Sequence, residues 1–154
     1  MTKLYLAFDP GNTTGWAVLN DRAIPQDMGQ VSFDGLADFL KKETRTFEAI
    51  IIEEYRVFRR KAMQHAGSDL RTSQVIGKLK FWAELNETPV VMQAASILPT
   101  AEKWAQIKMP KDHSISHQIS AVLHGSYYLM KNEIAPTALE RRAIEDSKKK
   151  KTLD

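Results

Sequence analysis

The chain has 154 residues, 43% of them hydrophobic and 27% charged, the balance of one ordinary globular domain rather than of a disordered chain or a pair of nucleotide-binding domains. It contains no cysteine, which excludes disulfide scaffolds, thiolate zinc sites and cysteine nucleophiles and leaves His, Asp, Glu and neutral oxygens as metal ligands. Lys and Arg exceed Asp and Glu by 22 minus 19, or +3, and the excess is clustered. Within 56–80, Arg56, Arg59, Arg60, Lys61, Arg71, Lys78 and Lys80 stand against Asp69 alone, and Lys148 to Lys151 form a second run, the footprint of a polyanion binder. No apolar stretch has the length of a membrane span and the N-terminus lacks an export signal, so a cytoplasmic protein with no membrane contact is expected.

In chain order, Lys3 to Phe8 reads as a strand ending at Asp9-Pro10-Gly11, and Gly15 to Leu19 as its hairpin partner, with a third antiparallel strand at Gln30 to Phe33. Leu36, Phe39 and Leu40 predict a helix inside 34–47 with Asp34 as its N-cap. Ala49 to Ile52 is a continuous apolar run, the pattern of a strand buried on both faces, and it ends on Glu53-Glu54. A long amphipathic helix over Ser68 to Leu85 and a short strand over Pro89 to Met92 complete a β-α-β unit. Helices follow over Thr100 to Ile107 and Ser114 to Met130, then a short charged helix beyond Pro136, with 146–154 as a basic, disordered tail. The order gives an α/β fold: a mixed sheet with helices on both faces.

Asp9 and Glu53 each end an apolar strand, and the two strands are expected to be neighbours. Both carboxylates would then emerge at one edge of the sheet, where two hard oxygen ligands suit magnesium or manganese. The alternative is that Asp9 only caps its turn and Glu53 is a solvated strand end. His113, His117, Ser120 and His124 recur at intervals of four, three and four and are expected on one helical face. For His113 and His124 the plainer expectation is a partly buried, hydrogen-bonded imidazole unrelated to chemistry. An HxxxH pair without an intervening glutamate gives no support for a zinc protease.

Leu6 to Ala17, LAFDPGNTTGWA, resembles the first motif of the RuvC family of Holliday junction resolvases, especially its short phage-encoded members, within the RNase H-like superfamily. Ile50-Ile51-Ile52-Glu53 is similar to the second motif, with Glu53 a better match than Glu54. His117 to His124, HQISAVLH, resembles the helical pattern H-x-x-D-A-x-x-H, except that Ser120 stands where that pattern has its last metal-binding Asp. The resemblance runs from Leu4 to about Leu129 and implies an RNase H-like nuclease domain over 1–145. It further implies a homodimer that nicks four-way DNA junctions to leave 5′-phosphate and 3′-hydroxyl ends, in the cytoplasm of a bacterial host for a phage-encoded member.

Phosphodiester hydrolysis requires stabilising an attacking water and a departing oxygen, which two metals about 3.5 to 4 Å apart do together. Asp9 suits the bridging position, Glu53 and His117 the flanking ones, and Ser120 replaces an anionic ligand by a weak neutral one. Ser120 is either an introduced change or a natural one partly compensated by Asp112, His113 or Glu54. Asp112 is two helical turns away, about 12 Å if helical, too far for direct replacement. Arg56, Arg59, Arg60 and Lys61 are expected to grip phosphates, with Tyr55 or Phe58 stacking on an unpaired base. A solvated loop, and core packing for Tyr55, are the alternatives. Phe81 and Trp82 are expected at the dimer interface unless they face the sheet. Two rivals remain: a junction-binding protein that does not cut, motivated by Ser120, and an actin- or sugar-kinase-like ATP-binding domain using Asp9 to Gly15 as a phosphate loop.

Overall fold

The computed structural model describes residues 2–55 and 66–153. Five strands, β1 (Leu4–Asp9), β2 (Thr13–Asn20), β3 (Pro25–Ser32), β4 (Ile50–Glu54) and β5 (Val90–Ala94), form one sheet in the order β3-β2-β1-β4-β5. The first three are an antiparallel meander, whereas β1, β4 and β5 run parallel. Among the described residues the helices are α1 (Leu36–Lys42), α2 (Ala66–Leu85), α3 (Leu98–Ala105), α4 (Ser116–Lys131) and α5 (Ala138–Leu153), with one 3-10 turn over Ala95–Ile97.

Strand alternation splits the core into two layers. Leu6, Phe8, Val18, Ile50 and Ile52 face α1 and α2, meeting Leu36, Leu40, Val75, Leu79 and Ala83. Ala7, Ala17, Leu19 and Ile51 face α4, meeting Ala121, Val122 and Leu129, with Trp104 and Ala105 of α3 packed alongside. Helices therefore cover both faces, as the sequence pattern predicts.

Several local expectations are corrected. The third strand begins at Pro25 because the buried Asn20 carboxamide accepts the Arg22 and Ile24 amides at 2.9 and 3.0 Å, closing a tight turn directly after β2. Asp34 does not cap α1: the N-cap is Gly35, whose amide is met by Ser32 Oγ at 3.1 Å. That helix stops at Lys42 rather than reaching 47 because Glu43 turns extended, and its carboxylate accepts both the amide and the guanidinium of Arg45 at 2.7 to 2.9 Å. Such an i to i+2 clasp competes with helix geometry. The helix after Pro136 has 16 residues rather than being short, and it runs through the segment expected to be a disordered tail, with none of its residues buried. On α2, Trp82 packs into the core, while Phe81 is 60% exposed.

Candidate active site

Alternation decides which strand-end side chains meet. Ala7 and Ile51 face α4, so Asp9 and Glu53, two residues further along, face it too. The parallel register sets Phe8 beside Ile52 and Glu53 beside Gln93, so the C-terminal ends of β1, β4 and β5 bring Asp9, Glu53 and Gln93 to one edge. Opposite Asp9 on β2 is Gly15, and the backbone of α4 lies directly on it: a Cβ there would collide with the His117 carbonyl. The missing side chain lets the N-terminal end of α4 descend onto the strand. Three residues of that helix, His117, Ser120 and His124, are thereby turned toward the carboxylates.

Each carboxylate has its own imidazole. His117 Nδ1 lies 3.1 Å from Asp9 Oδ2, and His124 Nε2 lies 2.7 Å from Glu53 Oε2. The Ser120 hydroxyl is 3.4 Å from Glu53 Oε2 and close enough to Asp9 to favour its ionised form. Gln93 completes the site from β5: its Nε2 is 3.1 Å from His124 Nδ1 and donates to the His124 carbonyl at 3.0 Å. An amide nitrogen only donates, so His124 Nδ1 accepts, and the neutral ring directs its Nε2–H at Glu53. His124 is wholly buried, whereas the His117 side chain is 42% exposed.

Burial is the main reason the Asp9 carboxyl sits above the usual carboxylate range. The hydrogen bond from His117 opposes that rise, and the negative charge of Glu53 adds to it. His117 is raised in turn, chiefly because Asp9 accepts from it. Two carboxylates joined by a hydroxyl and braced by imidazoles are a donor set suited in kind to a divalent cation. Among the described residues, no three His, Asp or Glu side chains converge on a common point.

The structure thus brings Asp9, Glu53, His117 and Ser120 together. His113 is not on that face. It precedes α4, where its carbonyl accepts from the Ser116 hydroxyl at 3.1 Å. Asp112 is likewise occupied locally, accepting the Ser114 amide at 2.9 Å. His124 is buried and hydrogen-bonded, as the plainer expectation had it, but its partner is Glu53, so it belongs to the site. Gln93 was missed, although a lone polar residue in a short apolar strand is a signal in the sequence. Arg56, Phe58, Arg59, Arg60 and Lys61 lie outside the described residues. Tyr55 is 37% exposed, which removes the core-packing alternative for it. Thr14, in the segment that an ATP-binding domain would use for phosphate, lies in β2 and is buried with its hydroxyl turned back to Gly11 O at 3.3 Å.

The sheet order, the helices on both faces and the carboxylates at adjacent strand ends define an RNase H-like α/β fold. Among solved structures, the chain is similar to RuvC of Thermus thermophilus in complex with a Holliday junction substrate, with a TM-score of 0.59 and 12% identity over 87% of this chain and 99% of that one. A further Thermus thermophilus RuvC structure matches with a TM-score of 0.53 and 14% identity over the same shares. No protein-family model and no curated protein sequence matches the chain. The fold is RuvC-like. No described helix is long and apolar enough to cross a membrane.

Proposed function

We propose that the chain is a metal-dependent, structure-selective endonuclease of the Holliday junction resolvase kind, of the short phage-encoded type, that nicks four-way DNA junctions as a homodimer in the cytoplasm. One observation carries this reading: Asp9 and Glu53 arrive from adjacent parallel strands and meet a single hydroxyl, Ser120, at the sheet edge. Asp9 and Glu53 would hold Mg2+ or Mn2+, with His117 beside them, and the cation would neutralise phosphoryl charge and activate water. The remaining work falls to the chain. His124, fixed by Gln93, orients the Glu53 carboxylate, and the exposed His117 ring exchanges a proton with solvent through Nε2 while Nδ1 stays with Asp9. Arg56, Arg59, Arg60 and Lys61 grip phosphates, and Tyr55 or Phe58 stacks on a base at the crossover. A four-way junction has two-fold symmetry, so two opposed cuts call for two copies of the site. The exposed positions Leu70, Gly77, Phe81 and Leu85 on α2 would offer an apolar face for that dimer.

A second reading is a junction-binding protein that does not cut. It is favoured by Ser120 in the position of an acid and by the lack of three converging metal donors among the described residues. Incubating end-labelled four-way junctions and linear duplex with the protein in Mg2+ and in Mn2+ separates the two. Symmetric nicks in the junction alone establish the nuclease, whereas a gel shift with no cleavage in either metal establishes the binding protein. ATP-dependent thermal stabilisation without DNA binding would overturn both.

A further inference from the structure

On the opposite face of the sheet from the carboxylate site, at the same end, two cations converge on one aromatic ring. Arg71 and Lys78 of α2 are seven residues apart, two turns along one face of the helix. The Arg71 guanidinium carbon is 5.3 Å and the Lys78 ammonium 4.7 Å from the centre of the Phe33 ring. Phe33 directly follows β3, and its amide donates to the Asn12 carbonyl at 2.9 Å. Arg71 Nη1 in turn donates to Asn12 Oδ1 at 3.2 Å. Asn12 belongs to the turn that leaves Asp9, so the ring and the guanidinium are both fastened to the loop carrying the first catalytic candidate.

The chemistry of the cluster is incomplete. Arg71 and Lys78 are both exposed, and neither takes part in any ion pair between described residues. The face of an aromatic ring attracts a cation, which limits where each head group goes but neutralises neither. Two like charges gathered on one ring repel one another, and an anion placed between or beside them relieves that repulsion. Arg71 uses one of its five N–H groups on Asn12, which leaves donors in the fork arrangement that matches a phosphate. Stacking on Phe33 and bonding to Asn12 reduce the conformational freedom the side chain has left to lose on binding.

We propose that Arg71 and Lys78, gathered on Phe33 and tied through Asn12 to the loop after Asp9, bind two backbone phosphates of the DNA strand where it passes over the sheet edge from the carboxylate site. This rests on the DNA-processing reading above. It adds a fixed anchor on the α1/α2 side of the sheet to the basic run 56–61, and it accounts for Phe33 remaining only partly buried at the rim of the core. Contacts of this kind position a strand without reading its sequence.

The test is anisotropy of a fluorescent four-way junction and of a linear duplex, in EDTA so that nothing is cut, across a salt series. Arg71→Ala/Lys78→Ala is expected to weaken junction binding about tenfold or more and to flatten the dependence of log affinity on log salt by about 0.9 for each lost contact. Phe33→Leu keeps an apolar side chain at the core rim and removes the ring face. It is expected to weaken binding about threefold with the salt slope unchanged, because the charges stay while their placement loosens. A double variant that folds and binds with the parent's affinity and slope overturns this proposal while leaving the nuclease reading standing. A parent protein that binds neither DNA overturns both. If the double variant loses affinity for ATP but not for the junction, the cluster is a nucleotide site and the strand assignment fails.

Discussion

The two carboxylate–histidine pairs at the sheet edge look alike in composition and differ in everything else. Glu53 and His124 are joined at 2.7 Å, the imidazole is wholly buried, and Gln93 holds its other nitrogen and its carbonyl. Asp9 and His117 are joined at 3.1 Å, the carboxylate is largely buried, and the imidazole is 42% exposed with its second nitrogen unconstrained by any described hydrogen bond. The first pair has one arrangement available to it and serves to fix an oxygen in place. The second can change its proton or its partner without disturbing the core, so the adaptable chemistry of the site belongs on the Asp9 side and its rigidity on the Glu53 side.

The sharpest way to break this comparison is to remove either charge. Asp9→Asn and Glu53→Gln keep size and remove the charge, and each is expected to lower metal-dependent junction cleavage by about a thousandfold or more, at the upper end of what a lost electrostatic partner costs, while junction binding in EDTA stays within about threefold of the parent. Single-turnover cleavage with anisotropy on the same preparations checks both halves. Full cleavage by either variant would remove the site assignment.

Stability separates the pairs next. His124→Ala opens a cavity and strands both Gln93 and Glu53, for an expected loss of about 2 to 4 kcal/mol in urea unfolding. His117→Ala touches an exposed ring and is expected to cost under about 1 kcal/mol. Equal losses would show that His124 is no more a brace than His117.

A third change sharpens the comparison by adding an acid between the pairs. Ser120 Oγ is 3.4 Å from Glu53 Oε2, so Ser120→Asp sets a third carboxylate against the other two. Without metal the variant should be less stable than the parent, since like charges at short range repel. With Mg2+ or Mn2+ it should bind metal more tightly and cleave about tenfold faster, a gain worth only about 1.4 kcal/mol. Cleavage no faster at any metal concentration, with folding and DNA binding intact, would show that the helix face is not the third element of the site.

How much of this was legible in the sequence follows from where each interaction is made. The ends of β1 and β4 could be read because an apolar run leads straight into an acid, and strand alternation then fixes the face on which the acid emerges. The helical spacing of His117, Ser120 and His124 was equally local. What could not be read is what depends on pairing across the fold. Gln93 stands out as a lone polar residue in a short apolar strand, but its partner is hidden until β5 is set beside β4, and His124 reads as an ordinary buried imidazole until α4 is laid on Gly15. The end of α1 escaped because the Glu43–Arg45 clasp overrides a helical apolar pattern, and Arg71 and Lys78 read as undistinguished members of a basic stretch until Phe33 gathers them.

The smallest expected effect tests whether the exposed imidazole is the one that responds to pH. Asp9 accepts a hydrogen bond from His117 and holds its pKa above 6.5. A group raised on folding contributes stability that is complete below its unfolded value and disappears as the pH climbs through the folded value. In EDTA, the parent should therefore melt higher than His117→Gln near pH 5.5, and the difference should close by about pH 8.5. Because the ring is 42% exposed, solvent screens the interaction, and the gap should be only about 1 to 3 °C. Asp9 is raised as well, mainly by burial, and its own contribution has the same sign, complete below 3.8 and lost as the pH rises through its folded value. His117 also lowers the Asp9 pKa, so the difference curve reports the pair as a coupled unit rather than the imidazole alone. Substituting His124 by Gln gives the contrasting result: a larger loss, since its cost lies in broken packing and unpaired polar groups. A gap for His117→Gln that is flat or widens toward alkaline pH would mean that the exposed ring is neutral throughout, and the division between an adaptable pair and a rigid one would then lose its chemical basis.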